Sequence, residues 1–244
     1  MLKKVSKENP IPLYYQLKEI LQEMIENEEL KPGDLIPTER QLCEIQNVSR
    51  MTARKAIMAL VNEGVLYREQ GKGTFVSQPK INQPLSELSK GFTEALAKRG
   101  LKSYTNILSF DIKDSTLENR KHLNLIDDEK VIELKRLRTV EDEPFGVEDV
   151  CIPYRLCPDL TREMLEGRSL YVVLREKYGY CPESTKQTIE PIKVNEYEGE
   201  LLNLESEDLA LLVKGTAYLS DGTAMEYTKT TFRCDKYKYE IRLK

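Results

Sequence analysis

The chain of 244 residues is nearly without histidine. It has one histidine, His122 in "ENRKHLNL", which leaves little for His-based acid–base catalysis or His-rich metal sites. Beside Arg120 and Lys121, it reads as a surface residue. The five cysteines, Cys43, Cys151, Cys157, Cys181 and Cys234, are odd in number and form no C-x-x-C pair. That argues against a disulfide framework or a zinc site and for reduced structural thiols. No apolar run approaches the ~20 residues of a membrane span. The start, "MLKKVSKENPIPLYY", carries lysines but no apolar signal core and no small-residue cleavage site. A cytoplasmic protein is expected, with no cofactor, no metal and no membrane partner.

What is there is charge, unevenly spread. The net charge is −4, yet residues 50 to 73 hold five basic residues against two acids, preceded by the glutamate-rich "KEILQEMIENEEL". Such asymmetry suggests a basic binding face with an acidic back. Leu13, Leu17, Ile20, Leu21, Met24 and Ile25 recur at helical spacing behind Pro12, and Pro32-Gly33 stops that helix. In "PTERQLCEIQNVS", Thr38 and Gln41 have the spacing of a capping box, and Asn47 suits a left-handed turn. Ser49 then caps a third helix, whose apolar face is Ala53, Ala56, Ile57 and Leu60 and which Gly64 closes. Arg50, Met51, Arg54 and Lys55 lie on another side. "VLYREQGKGTFVS" reads as a hairpin turning at Gly71-Lys72-Gly73.

Three helices and a glycine-turned hairpin describe a winged helix-turn-helix, with the third helix sized for a major groove. Ser49, Arg50, Met51, Thr52 and Arg54 would meet base edges and phosphates, Arg40 would meet a phosphate, and Gly71, Lys72 and Gly73 would form the wing tip. "GKGT" is not a phosphate loop: Leu66 stands where its leading glycine would be, and Gly73 replaces the Ser/Thr.

A linker is expected over 79–88, between a DNA-binding domain at 1–78 and a larger domain at 89–244. The remainder holds seven strand-like runs, from "YTNILSFDI" to "YKYEIRLK", with helical stretches at "FTEALAKRG", "LENRKHLNL" and "SLYVVLREKYG". That pattern predicts an α+β domain on an antiparallel sheet. In "VIELKRLRT", Ile132 and Leu134 share a strand face with Arg136 and Arg138. A half-buried arginine pair needs anions, from either an intramolecular carboxylate or an anionic ligand. Ser169, after Gly167, is placed to cap a helix or to offer its start to an anion. Thr93 sits near another helix start, and Glu226 shares a strand face with Phe232.

"LKPGDLIPTERQLCEIQNVSRMTARKAIMALVNEGVLYREQGKGTFV" resembles the DNA-binding domain of the GntR family of bacterial transcription regulators. The resemblance implies operator contacts from Arg40, Ser49, Arg50, Met51, Thr52, Arg54 and Gly71, and dimers on short palindromes. "KGFTEALAKRG", "KRLRTVEDEPFGVEDVCIP", "GRSLYVVLREKYG" and "SDGTAMEYTKTTFRCDKYKY" are similar to the effector-binding UTRA domain of the HutC subfamily, whose fold resembles chorismate lyase. In members that sense phosphorylated amino sugars, the matching positions line the effector pocket. Here they are Thr93, Arg136, Arg138, Ser169, Tyr171, Glu226 and Phe232, the last standing where tyrosine is frequent. The reading is a homodimeric repressor of double-stranded operator DNA, retuned by a small anionic metabolite such as a sugar phosphate or a carboxylate. A constitutive DNA-binding protein and an enzyme related to chorismate lyase are the alternatives; the single histidine and the lack of a nucleophile–base motif or metal-ligand spacing argue against the enzyme.

Overall fold

The computed structural model describes residues 3–84, 91–205 and 207–240. The chain divides into two compact units, 1–80 and 81–244.

In the first unit, α1 (Leu13–Glu26), α2 (Glu39–Gln46) and α3 (Arg50–Asn62) precede a hairpin of β1 (Leu66–Glu69) and β2 (Gly73–Val76). The capping box closes as the sequence predicts: Gln41 N donates to Thr38 Oγ1 at 3.3 Å, and Thr38 N donates to Gln41 Oε1 at 2.9 Å. Asn47 ends α2 at φ 53°, and Ser49 caps α3 by accepting from Thr52 N. Each cap contributes about 1 kcal/mol and fixes where α3 begins. Leu17 and Leu21 of α1, Leu42 of α2, and Ala53, Ala56, Ile57 and Leu60 of α3 close one core with Ile36, Leu66 and Val76. The hairpin is anchored through a bridge from Leu35 to Phe75. Gly73 takes φ 140°, a conformation that side-chain-bearing residues rarely adopt, and a Cβ there would stand 2.5 Å from Leu35 Cδ1, so the exposed Leu35 side chain would have to move.

The second unit is built on six antiparallel strands in the order β4-β5-β6-β9-β8-β7. They are β4 (Ser103–Asp114), β5 (Lys130–Val140), β6 (Glu143–Pro153), β7 (Ser184–Lys193), β8 (Leu209–Tyr218) and β9 (Ala224–Arg233). The tight β5–β6 turn places Glu141 and Asp142 at φ 48° and 66°, the twist that suits a hairpin. On one sheet face, α7 (Leu170–Tyr178) and the short α6 (Arg162–Leu165) pack Leu165, Leu170, Val173 and Leu174 on Ile132, Leu134, Val150 and Ile152. The same face receives α4 (Phe92–Ala97), whose Phe92 meets Phe145 and Phe232. The opposite face carries α5 (Leu117–Leu123), through Leu123 against Val131, Cys151 and Tyr227. It also carries α8 (Glu196–Leu202), where Thr231 Oγ1 donates to Glu198 at 2.8 Å. The interruption of "EYEGELL" by Gly199 hides α8 from a periodicity argument.

Two expectations need correction. Within 79–88, read as a linker, Ile81–Pro84 form a strand, β3, which pairs in parallel with β10 (Tyr237–Glu240). Ile81 packs in the cluster of Phe232 and Tyr237, so burial recruits it into the second unit. Residues 85–88 of that stretch lie outside the described residues. His122 is not a plain surface residue either. Its ring stacks on Tyr227 at 4.1 Å, and desolvation there lowers its pKa. None of the five cysteines is in a disulfide.

Candidate nucleic-acid interface and effector pocket

The side chains named for DNA lie on the outside of the first unit. Met51 is 72% exposed, and Arg40, Arg50 and Arg54 are likewise exposed. An exposed methionine at the start of a well-capped helix is an unusual surface choice, and it suits contact with a base methyl. Lys55 is different: its ammonium lies 4.0 Å from the centre of the Tyr14 ring, turned toward α1. Gly71 takes φ 77° at the wing tip with no atom near its missing Cβ, and Lys72 Nζ reaches Glu69 at 2.9 Å.

One residue organises this surface and escaped the sequence reading. Glu39, on the first turn of α2, accepts from Arg54 Nε at 3.1 Å, from Arg68 Nη2 at 3.1 Å and from Arg50 Nε at 3.4 Å. Arg50 and Arg54 are on α3 and Arg68 is on the wing, so one carboxylate joins helix to hairpin. The hydrogen bond from Arg54, then those from Arg68 and Arg50, hold Glu39 below the usual carboxylate range. The signal for it was present in "TER", but only contact in space gives Glu39 three partners 11, 15 and 29 residues away.

In the second unit, all seven residues named for the effector line one cavity on the sheet face covered by α4 and α7. Strand alternation brings Arg136 and Arg138 of β5 to that face, with Glu148 of β6 opposite Arg136 and Glu226 of β9 on the same side. Ser169 occupies the position before α7, but its hydroxyl makes no capping hydrogen bond. Tyr171 donates from its hydroxyl to Glu226 at 2.6 Å. Phe232 stacks on Tyr237 at 4.5 Å, and Arg138 lies over the Phe92 ring at 4.8 Å.

The arginine pair already has a carboxylate. Glu148, absent from the sequence reading, binds Arg136 and accepts from Arg138 Nη2 through both its oxygens at 2.8 Å. Burial pushes the Glu148 carboxyl up, but the charges of Arg136 and then Arg138 outweigh it, and the group stays ionised. Glu226 goes the other way: burial, with the charge of Glu148, raises it to about 7. The four charged groups therefore sum to zero when Glu226 is ionised and to one positive charge when it is protonated. The Nε atoms of Arg136 and Arg138 are buried with no hydrogen-bond partner among the described residues. Gln187, Thr228, Thr230, Tyr237 and Tyr239 complete the lining and were also missed. They come from strands whose register only the folded sheet sets.

Comparison with known proteins accounts for both units. The model for bacterial regulatory proteins of the gntR family matches residues 13–76, and that for the UTRA domain matches residues 98–238. The HTH-type transcriptional repressor NagR of Bacillus subtilis (strain 168) is 37% identical over 236 residues, covering 96% of each chain. The mannosyl-D-glycerate transport/metabolism system repressor MngR of Escherichia coli (strain K12) is 32% identical, covering 94% of this chain and 95% of that protein. The crystal structure of PhnF from Mycobacterium smegmatis superposes with a TM-score of 0.65 at 26% identity, over 93% of this chain and 98% of that one. Among the described residues, no helix is long and apolar enough to cross a membrane. With a UTRA match over more than half its length and a near full-length match to a repressor, the chain belongs to the GntR family of bacterial transcription regulators, in the HutC branch, and is a regulator rather than an enzyme.

Proposed function

We propose that this regulator is a cytoplasmic homodimer that represses by binding a short palindromic operator, and that a carbohydrate-derived anion in the UTRA pocket retunes its operator affinity. The observation that carries the effector half is the pair of buried guanidinium Nε donors beside Glu148 that have no partner among the described residues. Buried donors need acceptors, and the oxygens of a phosphate or carboxylate supply them in the geometry a guanidinium prefers. The sugar character draws support from MngR, whose name ties it to mannosyl-D-glycerate, itself a carboxylate.

The DNA half rests on Arg50, Met51 and Arg54 exposed at the start of α3, a helix fixed by Ser49 and Asn47. Coupling requires that the effector bind one state of the protein better than the other, and a typical coupling changes affinity roughly 5–150-fold. β3 is a candidate carrier. It is the first element after residue 80, and it is hydrogen-bonded to the strand that brings Tyr237 and Tyr239 to the pocket.

The test is fluorescence anisotropy on DNA from upstream of the regulator's own gene, titrated with hexose phosphates and sugar carboxylates, alongside the mass of the free and bound protein. Binding as a dimer with an affinity that shifts on adding one of these compounds supports the reading. A compound that binds tightly yet leaves operator affinity unchanged refutes the switch.

A further inference from the structure

Gln187 lies on β7, an exposed edge strand, and reaches the pocket because its cross-strand neighbour is a glycine. It pairs with Gly215 of β8, and a Cβ on residue 215 would stand 3.0 Å from Gln187 Cγ and 3.2 Å from its Nε2. The side chain therefore lies flat over bare backbone, in the cross-strand row that continues to Thr228 of β9. Both Gln187 and Thr228 line the cavity. There Gln187 Oε1 is buried and has no hydrogen-bond partner among the described residues.

The pocket thus holds unmet demands of opposite kind. Among the described residues, the Nε donors of Arg136 and Arg138 on β5 lack acceptors, and the Oε1 acceptor of Gln187 on β7 lacks a donor. They do not satisfy each other. β6, β9 and β8 lie between their strands, four spacings of ~4.8 Å, or roughly 19 Å of backbone. The pocket's two carboxylates are engaged, Glu148 by the two arginines and Glu226 by Tyr171. A ligand that meets both ends carries an anionic group for the guanidinium side and a hydrogen donor for the amide side.

We propose that Gln187 is the specificity residue of this pocket: its Oε1 accepts a hydrogen bond from a hydroxyl or N–H on the carbohydrate part of the effector, and Gly215 makes the room that lets it. The proposal rests on the anion-binding reading above and deepens it. The guanidinium pair takes the charge common to many metabolites, and Gln187 separates a hydroxylated or aminated ligand from a bare anion. A site built to accept from a donor rejects ligands lacking that donor strongly, because the buried acceptor is then left unpaired.

Isothermal titration with four probes tests it: inorganic phosphate, 2-deoxyglucose 6-phosphate, glucose 6-phosphate and glucosamine 6-phosphate. The wild type is expected to bind at least one hexose phosphate more tightly than inorganic phosphate. Gln187→Leu keeps the side-chain bulk on an exposed strand. It should weaken that hexose phosphate by roughly 5- to 150-fold while leaving inorganic phosphate within about twofold. Gly215→Val should reproduce the selective loss by displacing Gln187. Gln187→Glu keeps an acceptor and adds charge, so it should retain hexose binding and shift preference toward the ammonium of glucosamine 6-phosphate. If Gly215→Val does not fold, the two Gln187 variants decide. Equal weakening of phosphate and hexose phosphate, or no weakening of either, overturns the role of Gln187 alone. A wild type that binds none of the four overturns the phosphate reading of the pocket and this proposal with it.

Discussion

Arg138 Nη2 donates to both oxygens of Glu148 at 2.8 Å, with the two side chains 8% and 9% exposed. The arginine pair on β5 is therefore no bare cationic trap. It is a buried triad of two arginines and one carboxylate, whose excess positive charge is one unit; under the proposed function an anionic effector would share it with Glu148. Glu148→Ala leaves two buried guanidinium groups without their carboxylate. A loss of about 3–5 kcal/mol is expected in urea unfolding of the full chain. Adding sulfate should restore part of it, and a loss below 1 kcal/mol would show that the triad is not a structural element.

Glu226 gives the pocket a pH dependence. Its folded pKa of about 7 lies above the unfolded value of 4.5, so the folded state binds the extra proton. The stability this contributes is fully present below pH 4.5 and is lost as pH rises through 7. Glu226→Gln should therefore match the wild type near pH 4.5 and exceed it near pH 8, by on the order of 2–3 kcal/mol. The check is the difference in thermal midpoint between the two proteins across that range.

Protonation of Glu226 also leaves the pocket one unit more positive. Sulfate, which does not titrate in this range, should bind the wild type more tightly at pH 6 than at pH 8. Titration calorimetry at the two pH values measures this, and Glu226→Gln should flatten the difference.

Glu39 holds Arg50, Arg54 and Arg68 in one arrangement before any DNA arrives. Glu39→Gln should cost little stability, since its arginine partners are 42% to 79% exposed and ion pairs that reach solvent contribute ~0–1 kcal/mol. It should loosen three arginines and remove one negative charge. Affinity for random DNA is expected to rise and the operator-to-random ratio to fall about tenfold, read by anisotropy at fixed salt. An unchanged ratio would leave Glu39 a passive ion-pair partner.

Arg50→Ala distinguishes base reading from phosphate contact. A loss of about 1–3 kcal/mol confined to the cognate operator, with relaxed preference at one position, marks a base contact. Equal weakening on all sequences, with a smaller salt slope, marks a phosphate contact.

The sequence by itself determined everything governed by local rules. Thr38 with Gln41, Asn47 and Ser49 set the ends of α2 and α3, because caps act within four residues. Gly71 and Gly73 set the wing, because their φ values suit glycine. Alternation along β5 put Arg136 and Arg138 on the face of Ile132 and Leu134, because successive strand residues point opposite ways. The tertiary structure alone decided the partners of those charges. It brought Glu148 across from Arg136 and set Glu39 among three arginines. It drew Ile81 into a strand with β10 and laid Gln187 over Gly215. Each of these depends on which strand pairs with which, and in what register. Non-local burial and hydrogen bonding fix that choice, and no short stretch of the chain contains both sides of it.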